Sequence, residues 1–355
     1  MLKRASFAAL LSLVACASNG GANDSASSAD EVKGAPLPAA SVRTVTSSGA
    51  DAIARHGETI FYTDFQNVEL RSVPLAGGAS KVLWKGRTQP MDQLGDIALD
   101  DKDIYFVEDG QIIRIPQEGG RWDIVIRNSK DFPGDIDLDD HFVYWTTGTI
   151  DHALIKRVAK EGGAPEVVYD GPRGGDGIAV KDGFVYFFGL DRTAPDSDKT
   201  EYLMKVEAKP HGAVTELARI ENGAREIALA GDEIFFANKA PVTPGAAPTW
   251  GIRAVPKSGG QSRTVAELGE SNDLQPYSLS AAGNDLYWSQ SMTFDWHQNP
   301  PGQHDAKVFT TATSGSAPPR ELATKLDGAP LLAVAENACP VWGGRFEIAT
   351  VDRCR

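Results

Sequence analysis

Two markers recur along this chain at a fixed spacing, and they constrain its fold more than any other feature. The first marker is an apolar residue, and the second is an aromatic residue eight positions later, within an apolar and aromatic cluster. The pairs are Ile53/Phe61, Ile97/Tyr105, Ile136/Tyr144, Ile178/Tyr186, Ile227/Phe235 and Leu279/Tyr287. Repetition at a constant offset is typical of a fold built from successive copies of one supersecondary unit.

Each repeated unit has the pattern of four short strands. A polar turn such as 100–103 lies between the two markers and predicts a hairpin of strands A and B, because Asp and Gly favour tight turns. A third strand with alternating apolar residues follows, as in 113–115, and a Gly-Gly turn and a fourth strand, as in 119–126, complete the unit. Four antiparallel strands in each period of about 40–54 residues predict the blade of a β-propeller.

A seventh unit is degenerate. Its register is carried by Leu332, Val334, Cys339 and Val341, with Pro340 at the aromatic position and a third strand within 345–352. We expect residues 40–48 to supply its fourth strand, because the sequence at 41–45 closely matches 261–265, the fourth strand of unit five. The fold class is therefore all-β: a single β-propeller of seven four-stranded blades, closed by an N-terminal strand that removes the open edge. Six blades is the alternative count, and a parallel β-helix would lack the paired hairpin turns.

The N-terminus has the pattern of a processing signal. Lys3 and Arg4 precede an apolar stretch at 5–15 that is too short to span a bilayer, so 1–15 is predicted to be a signal peptide. The sequence Leu13-Val14-Ala15-Cys16 resembles the lipobox of bacterial lipoproteins. The resemblance implies lipidation of Cys16 and, because Asp does not follow it, delivery to the outer membrane of the cell envelope. A secreted protein without lipid is the alternative.

The domain organisation follows from this signal and from composition. Residues 16–39 are rich in Ala, Ser, Gly and Asn and are predicted to form a flexible lipid-anchored linker, because they cannot bury a core. The propeller is expected to span 40–355.

A second resemblance concerns the repeat itself. The clusters Val143-Tyr144-Trp145-Thr146 and Ile136-Asp137-Leu138-Asp139 resemble the YWTD repeats of low-density-lipoprotein-receptor-type propellers and those of exported bacterial propeller lipoproteins. The resemblance covers roughly residues 50–340 and implies the propeller fold. The YWTD propellers have six blades, whereas seven units are counted here, so a receptor-like role is not implied.

The first candidate site lies on the long loops. In a propeller, the B–C and D–A connections share one face, which we call the upper face, and units four to six carry long B–C connections at 189–202, 238–250 and 290–307. The ligand-binding candidates there are Asp191, Arg192, Trp250, Asp295, Trp296, His297 and His304. Aromatic and polar groups together suit a glycan, peptide or other small-molecule or protein ligand. The alternative is that these aromatic residues merely pack the loops together.

The second candidate site is the mouth of the central channel. Carboxylates occur one or two residues before the first marker in five units: Asp51, Asp96, Asp135, Asp176 and Glu226. A ring of carboxylates attracts a cation and would suit Ca²⁺, whereas the alternative is that each carboxylate caps backbone N–H groups in its turn. No other cofactor is predicted.

Three functional hypotheses are compatible with the sequence. The leading one is an envelope-tethered lipoprotein that binds a ligand on the upper face of blades four to six. The alternative is a hydrolase or lyase with a divalent cation at the channel mouth, and a scaffold that uses the blade sides is a third. The chain contains no HExxH pattern, nucleophile elbow or phosphate-binding loop, so no catalytic residue is predicted.

Charge and cysteine content limit the partners. The formal net charge of −13 disfavours nucleic-acid binding, which requires Lys and Arg to neutralise phosphates. We expect a monomer that meets the membrane through its lipid alone. Export to an oxidising compartment makes a Cys339–Cys354 disulfide plausible. However, a hairpin turning at 343–344 would put Cys339 opposite Ile348, so the tail would have to fold back.

Overall fold

The strands of this chain form seven separate four-stranded antiparallel sheets. The computed structural model describes residues 42–64, 66–86, 94–127, 132–149, 152–171, 176–190, 201–220, 223–239, 249–270, 274–292, 306–326, 331–334, 339–344 and 347–352, and these residues contain no helix. The predicted signal peptide, Cys16 and the linker at 16–39 lie outside the described residues.

Six of the sheets use four consecutive strands, in the order A to D, and each sheet is one blade. Blade 1 contains β2 (Ile53–His56), β3 (Thr59–Asp64), β4 (Glu69–Pro74) and β5 (Lys81–Lys85); blade 2 contains β6 (Leu94–Leu99), β7 (Asp103–Glu108), β8 (Gln111–Pro116) and β9 (Asp123–Ile126); blade 3 contains β10 (Ile136–Leu138), β11 (Phe142–Thr149), β12 (His152–Ala159) and β13 (Glu166–Gly171). Blade 4 contains β14 (Asp176–Lys181), β15 (Phe184–Leu190), β16 (Glu201–Glu207) and β17 (Val214–Ile220); blade 5 contains β18 (Ala224–Ala230), β19 (Glu233–Lys239), β20 (Thr249–Pro256) and β21 (Arg263–Glu270); blade 6 contains β22 (Leu274–Ala282), β23 (Asp285–Met292), β24 (Ala306–Ala312) and β25 (Arg320–Leu326).

The seventh blade joins the two ends of the chain. Strands β26 (Leu331–Val334), β27 (Pro340–Gly343) and β28 (Ile348–Val351) are completed by β1 (Val42–Thr46), which pairs with β28 as the outer strand. The A strands contact one another in sequence around the ring, and β26 contacts β2, so the ring is closed. The predicted seven blades and the closure by an N-terminal strand are confirmed.

The register of blade 7 differs from the sequence prediction by one position. Leu332 pairs with Trp342 and Ala333 pairs with Val341, whereas Pro340 pairs with Val334 at the end of the hairpin. The A–B connection of this blade is one residue longer than in the others, because the corresponding pair in blade 2 is Ile97 with Phe106. Val341, rather than Pro340, therefore occupies the aromatic marker position, and Trp342 occupies the next one.

The core is divided among the seven interfaces between neighbouring blades, with one hydrophobic cluster at each. Successive residues of a strand point to opposite faces of the sheet, so two adjacent aromatic residues on a B strand serve both neighbouring blades. In blade 3, Tyr144 packs towards blade 4 and Trp145 packs towards blade 2. The second position is aromatic in every blade and is almost fully buried: Tyr62, Phe106, Trp145, Phe187, Phe236, Trp288 and Trp342.

A repeated polar contact fastens the lower face, which carries the A–B and C–D turns. A Lys or Arg of one blade donates to a backbone carbonyl in the C–D turn of the next blade, and we call these contacts the lower clasps. The donor and carbonyl residues are Arg43 and Leu75, Lys81 and Glu118, Arg114 and Lys160, Arg157 and Ala208, Lys205 and Lys257, and Arg263 and Thr313. Charged hydrogen bonds of this kind contribute about 1.5–3 kcal/mol where they are sheltered from water.

The cysteine geometry also differs from the sequence prediction. Gly343 pairs with Ile348 and Val341 pairs with Thr350, so the pairing, extended by two residues, brings Cys339 level with Asp352. Cys339 is buried, with its Sγ 3.9 Å from Thr350 Oγ1. The expectation that Cys339 lies opposite Ile348 is wrong, because strand β27 runs through Gly343 and the chain turns two residues later than the sequence indicated. Cys354 lies outside the described residues, and its disulfide with Cys339 stays a prediction.

Candidate functional site

The long connections of blades 4 to 6 all leave and re-enter the propeller on its upper face. They join B and C strands, and their middle parts are residues 191–200, 240–248 and 293–305. Asp191, Arg192, Asp295, Trp296, His297 and His304 belong to these parts and lie outside the described residues. Their role in ligand binding stays a prediction.

Trp250, the remaining loop candidate, lies in the core. Its side chain is 4% exposed and packs in the cluster between blades 5 and 6. The ammonium of Lys239 lies 5.2 Å from the centre of its ring, across the β19–β20 pair. This position favours support of the 240–248 connection from below, and direct contact of Trp250 with a ligand stays a prediction.

Two of the predicted channel-mouth carboxylates join neighbouring blades. Asp96 accepts hydrogen bonds from the backbone N–H of Ile97 (2.8 Å) and from that of Ile136 in blade 3 (3.0 Å). Asp135 accepts a hydrogen bond from the backbone N–H of Gly177 in blade 4 (2.9 Å). Both carboxylates therefore cap backbone N–H groups, as the alternative interpretation expected, but both do so across a blade interface, and Asp96 also does so within its own blade.

Asp137 forms the same kind of bridge deeper in the channel and was not among the predicted residues. It accepts from the N–H of Leu138 (2.8 Å) and from the N–H of Val180 in blade 4 (2.6 Å). The sequence carried a signal for this residue. Asp137 lies inside strand β10, opposite the aromatic marker Tyr144, and blades 1, 2, 4 and 5 have Ala opposite the same marker.

Glu226 is the most unusual member of the predicted set. Its φ is 54°, in the left-handed region that side chains disfavour, and it is the unpaired residue of a bulge in β18. The corresponding bulge in blade 4 has Gly177, with a φ of 61°. A glutamate therefore occupies a position that the neighbouring blade gives to glycine, and a strained residue of this kind is a reason to look for a function.

The remaining two predicted carboxylates are Asp51 and Asp176. Asp51 is exposed, and its backbone N–H donates to the carbonyl of Thr63. Asp176 begins β14, and its side chain lies outside the described residues. The described site is thus formed by Asp96, Asp135 and Glu226, with Asp137 below them.

The electrostatics of these acids set them apart. Burial and the nearby Asp135 raise the pKa of Asp96 to about 7, against the opposing effect of its two backbone hydrogen bonds. Burial and the charges of Asp135 and Asp96 raise the pKa of Glu226 to about 7, although Arg225 opposes this. Burial also raises the pKa of Asp137 to about 6. The acids repel one another, so a positive charge placed among them would be stabilised, and they exchange protons near neutral pH.

The upper ends of blades 5 and 6 are also polar. Asn238, Ser289, Gln290 and Ser291 are buried there at the ends of the B strands, and Asn238 Nδ2 donates to the carbonyl of Gly223 (3.0 Å). Sequence analysis missed these residues, because a polar residue at the end of a strand is an ordinary feature. Within the described ranges, no three His, Cys, Asp or Glu side chains are arranged to hold a metal ion.

The sequence and the structure of the chain were compared with those of known proteins. No family model and no curated protein matches the chain. Its structure is similar to a streptogramin B lyase, with a TM-score of 0.62 at 13% identity over 88% of this chain and 97% of that one. It is also similar to a chain of a nidogen/laminin complex, with a TM-score of 0.50 at 17% identity over 76% of this chain and 92% of that one. A third similar structure is YCF48 bound to a D1 peptide, with a TM-score of 0.59 at 9% identity over 87% of this chain and 95% of that one.

These similarities, at such low identity, show the fold alone. The chain is a seven-bladed β-propeller, a fold that its neighbours use both for binding proteins or peptides and for lyase chemistry. The part of the chain that the structure describes contains no helix long and apolar enough to cross a membrane.

Proposed function

We propose that this protein is an envelope-tethered lipoprotein that binds a ligand on the upper face of its propeller. The observation that carries the proposal is the group of acids with raised pKa, Asp96 and Glu226 beside Asp135, at the upper end of the channel, the face on which the long connections of blades 4 to 6 begin and end. Acids with perturbed pKa values cluster at functional sites more often than elsewhere. They favour a ligand that brings a positive charge or several hydrogen-bond donors, such as an amine-bearing glycan or peptide.

The ligand site is tested by a glycan and peptide binding screen, followed by titration of any hit against a loop variant. Replacement of 292–305 by a two-residue Asn-Gly turn keeps the register of the Gln290–Lys307 pair, with Ser291 and Ala306 flanking the turn, and leaves the buried Gln290 in place. We expect at least tenfold weaker binding with unchanged thermal unfolding. Full binding by this variant would refute a site on the loop of blade 6.

A single-residue test addresses the channel mouth. Glu226→Gln removes the charge at the strained bulge, and we expect it to weaken binding of a cationic hit about tenfold, or about 1.4 kcal/mol. Glu161→Gln is the matched control, because Glu161 is 89% exposed on the lower face. Equal binding by the two variants would refute a role for the carboxylate of Glu226.

The lipid anchor rests on the Leu13-Val14-Ala15-Cys16 sequence and on the signal-like segment before it. Mass spectrometry of the protein purified from membranes should find acyl chains on Cys16. Cys16→Ser should move the protein from the detergent phase to the aqueous phase, whereas Cys354→Ser should leave partitioning unchanged. An unmodified Cys16 would refute the anchor.

A second function, as a hydrolase or lyase that uses a divalent cation such as Ca²⁺, is favoured by one observation. Carboxyl groups with pKa values near 7 are suited to move protons at neutral pH. Metal analysis of the purified protein tests this function directly. A stoichiometric divalent ion that Asp135→Asn removes would support it, and a metal-free protein with full ligand binding would exclude it.

A further inference from the structure

The direction of β1 fixes where the preceding chain reaches the propeller. A strands begin at the upper face, so D strands run from the lower face to the upper face, and β1 serves as the D strand of blade 7. Val42 pairs with Val351 at the lower end and Thr46 pairs with Ile348 at the upper end. The contact of Arg43 with the carbonyl of Leu75, in a C–D turn of blade 1, places the start of β1 at the lower rim. The chain that precedes residue 42 therefore joins the propeller opposite the candidate ligand site.

Two neighbouring exposed apolar side chains, Val82 and Trp122, lie along the same rim, whereas the exposed Phe132 lies on the upper face. Among the described residues, the large hydrophobic side chains that are exposed are Val82, Trp122, Phe132 and Val214. Val82 lies in the lower half of the edge strand of blade 1, and Trp122 immediately precedes the edge strand of blade 2. The Trp122 ring contacts Trp84 edge-on at 6.5 Å and remains 45% exposed. Val82 and Trp122 therefore lie on the lower rim of two neighbouring blades, blade 1, which adjoins β1, and blade 2.

Cationic side chains lie beside this apolar rim, which also carries the exposed acids Glu118 and Asp123. Arg121 is 91% exposed beside Trp122 and lies 3.8 Å from Asp123, and the exposed Lys81 joins blade 1 to blade 2 through the carbonyl of Glu118. A half-exposed tryptophan next to cationic side chains is the composition of protein surfaces that rest in the headgroup region of a bilayer.

We infer that the propeller rests with the lower rim of blades 1 and 2, at Val82, Arg121 and Trp122, on the lipid surface that holds its anchor, so that its upper face points away from the membrane. This inference rests on the lipid anchor proposed above. The arrangement leaves the channel mouth and the long connections open to a soluble ligand, whereas a membrane on the upper side would cover them.

Energy transfer from a fluorophore to headgroup-labelled lipid tests the orientation with the full lipidated protein in anionic vesicles. Two label positions in blade 3 are matched, because they lie on the same C strand and its turn: Glu161→Cys on the lower face and His152→Cys on the upper face, which are 89% and 64% exposed. We expect at least twofold greater transfer from the Glu161→Cys label. Label on the parent protein measures the contribution of the native cysteines.

Flotation of the same vesicles on a density gradient separates the two ideas. Protein that fails to float would refute the anchor and remove the ground for the orientation. Protein that floats but shows equal transfer, or greater transfer from His152→Cys, would overturn the orientation alone.

The contact of the rim with lipid is tested by Trp122→Ser, which should reduce the difference in transfer between the two label positions by half or more. The matched control is Phe132→Ser, an exposed aromatic residue in the D–A connection on the upper face, which should leave the difference unchanged. A difference that survives Trp122→Ser in a protein with native thermal unfolding would overturn the lipid contact and indicate a protein partner for this rim.

Discussion

Two pairs of acidic residues at opposite ends of this propeller have pKa values shifted in opposite directions. On the lower face, hydrogen bonds from Lys257 and Arg263 hold the pKa values of Asp182 and Glu233 below their usual range. At the channel mouth, burial and mutual repulsion raise the pKa values of Asp96 and Glu226 to about 7. Ionised Asp182 and Glu233 therefore favour the folded state, whereas ionised Asp96 and Glu226 oppose it.

This difference indicates how stability and function are divided in the molecule. The lower clasps use charged donors to join the blades at six of the seven interfaces, from blade 7 through blade 1 to blade 6. The upper face keeps acids in surroundings that disfavour their charge, which evolution tolerates where a ligand supplies the missing partner. The predictions below test this division, beginning with the largest effect.

The first prediction concerns the lower end of blade 7, where Cys339 lies level with Asp352. A Cys339–Cys354 disulfide would close a loop of roughly 15 residues and stabilise the fold by about 3 kcal/mol. We expect Cys354→Ser to lower the melting temperature by several degrees under oxidising conditions. Reductant should remove the difference between the variant and the parent. Two free thiols in the folded, unreduced parent would refute the bond.

The second prediction concerns a lower clasp. Arg157 donates to the carbonyl of Ala208 in blade 4, pairs with Glu166 at 2.8 Å and lies 3.9 Å from the centre of the Phe142 ring. Arg157→Met should lower the free energy of unfolding by about 2 kcal/mol, because the charged hydrogen bonds are lost. The measurement is urea unfolding.

The matched control for Arg157 is Arg253, on the C strand of blade 5. Its side chain is 14% exposed, and its ion pair and hydrogen bond within the described structure go to Glu267 and Thr264 of the same blade. Arg253→Met should cost less than half as much. If the two variants lose the same free energy of unfolding, a contact between blades adds nothing to the stabilisation that a buried arginine provides.

The fold could be predicted from the sequence because its signals are local and repeated. The constant offset between Ile97 and Tyr105 reflects a constant A–B turn, and where that turn lengthens, in blade 7, the prediction slipped from Val341 to Pro340. The closure by β1 was recognisable because its sequence matches that of β21, an outer strand with the same surroundings.

The candidate site was only partly predictable, because its chemistry depends on contacts between blades. The positions of Asp96 and Asp135 before the markers identified the channel mouth, but their hydrogen bonds to Ile136 and Gly177 depend on how the next blade packs. Trp250 was selected for its place in a long loop, and the sequence carried no sign that its ring would be buried.

The third prediction uses pH to separate the two faces. The folded-state pKa of Glu226, about 7, lies above the 4.5 of an unfolded chain, so the folded protein binds more protons between these values. Stability should therefore fall as pH rises from about 4.5 to 7 on account of this group, and Asp96 acts in the same direction. We expect unfolding to require roughly 1–2 kcal/mol more at pH 5.5 than at pH 8.

The variant Glu226→Gln should flatten this dependence, while Asp182→Asn should not. Asp182 has a lowered pKa, so its contribution is fully present above about 3.8 and is lost only in stronger acid. A parent protein whose stability rises between pH 5.5 and pH 8 would contradict the raised pKa values at the channel mouth.

The smallest expected effect isolates the strain at Glu226. Glu226→Gly removes both a disfavoured left-handed conformation and a carboxylate with raised pKa, and should stabilise the protein at pH 8 by about 1 kcal/mol, net of the added freedom of the unfolded chain. The matched change is Gly177→Ala in blade 4, where an added Cβ meets nothing within 4 Å. That variant should lose about 1 kcal/mol through backbone strain alone. If Glu226→Gly is more stable yet binds ligand more weakly, the cost of the glutamate is explained by its function; if it is less stable, the upper face does not carry the strain that the comparison with the lower face assigns to it.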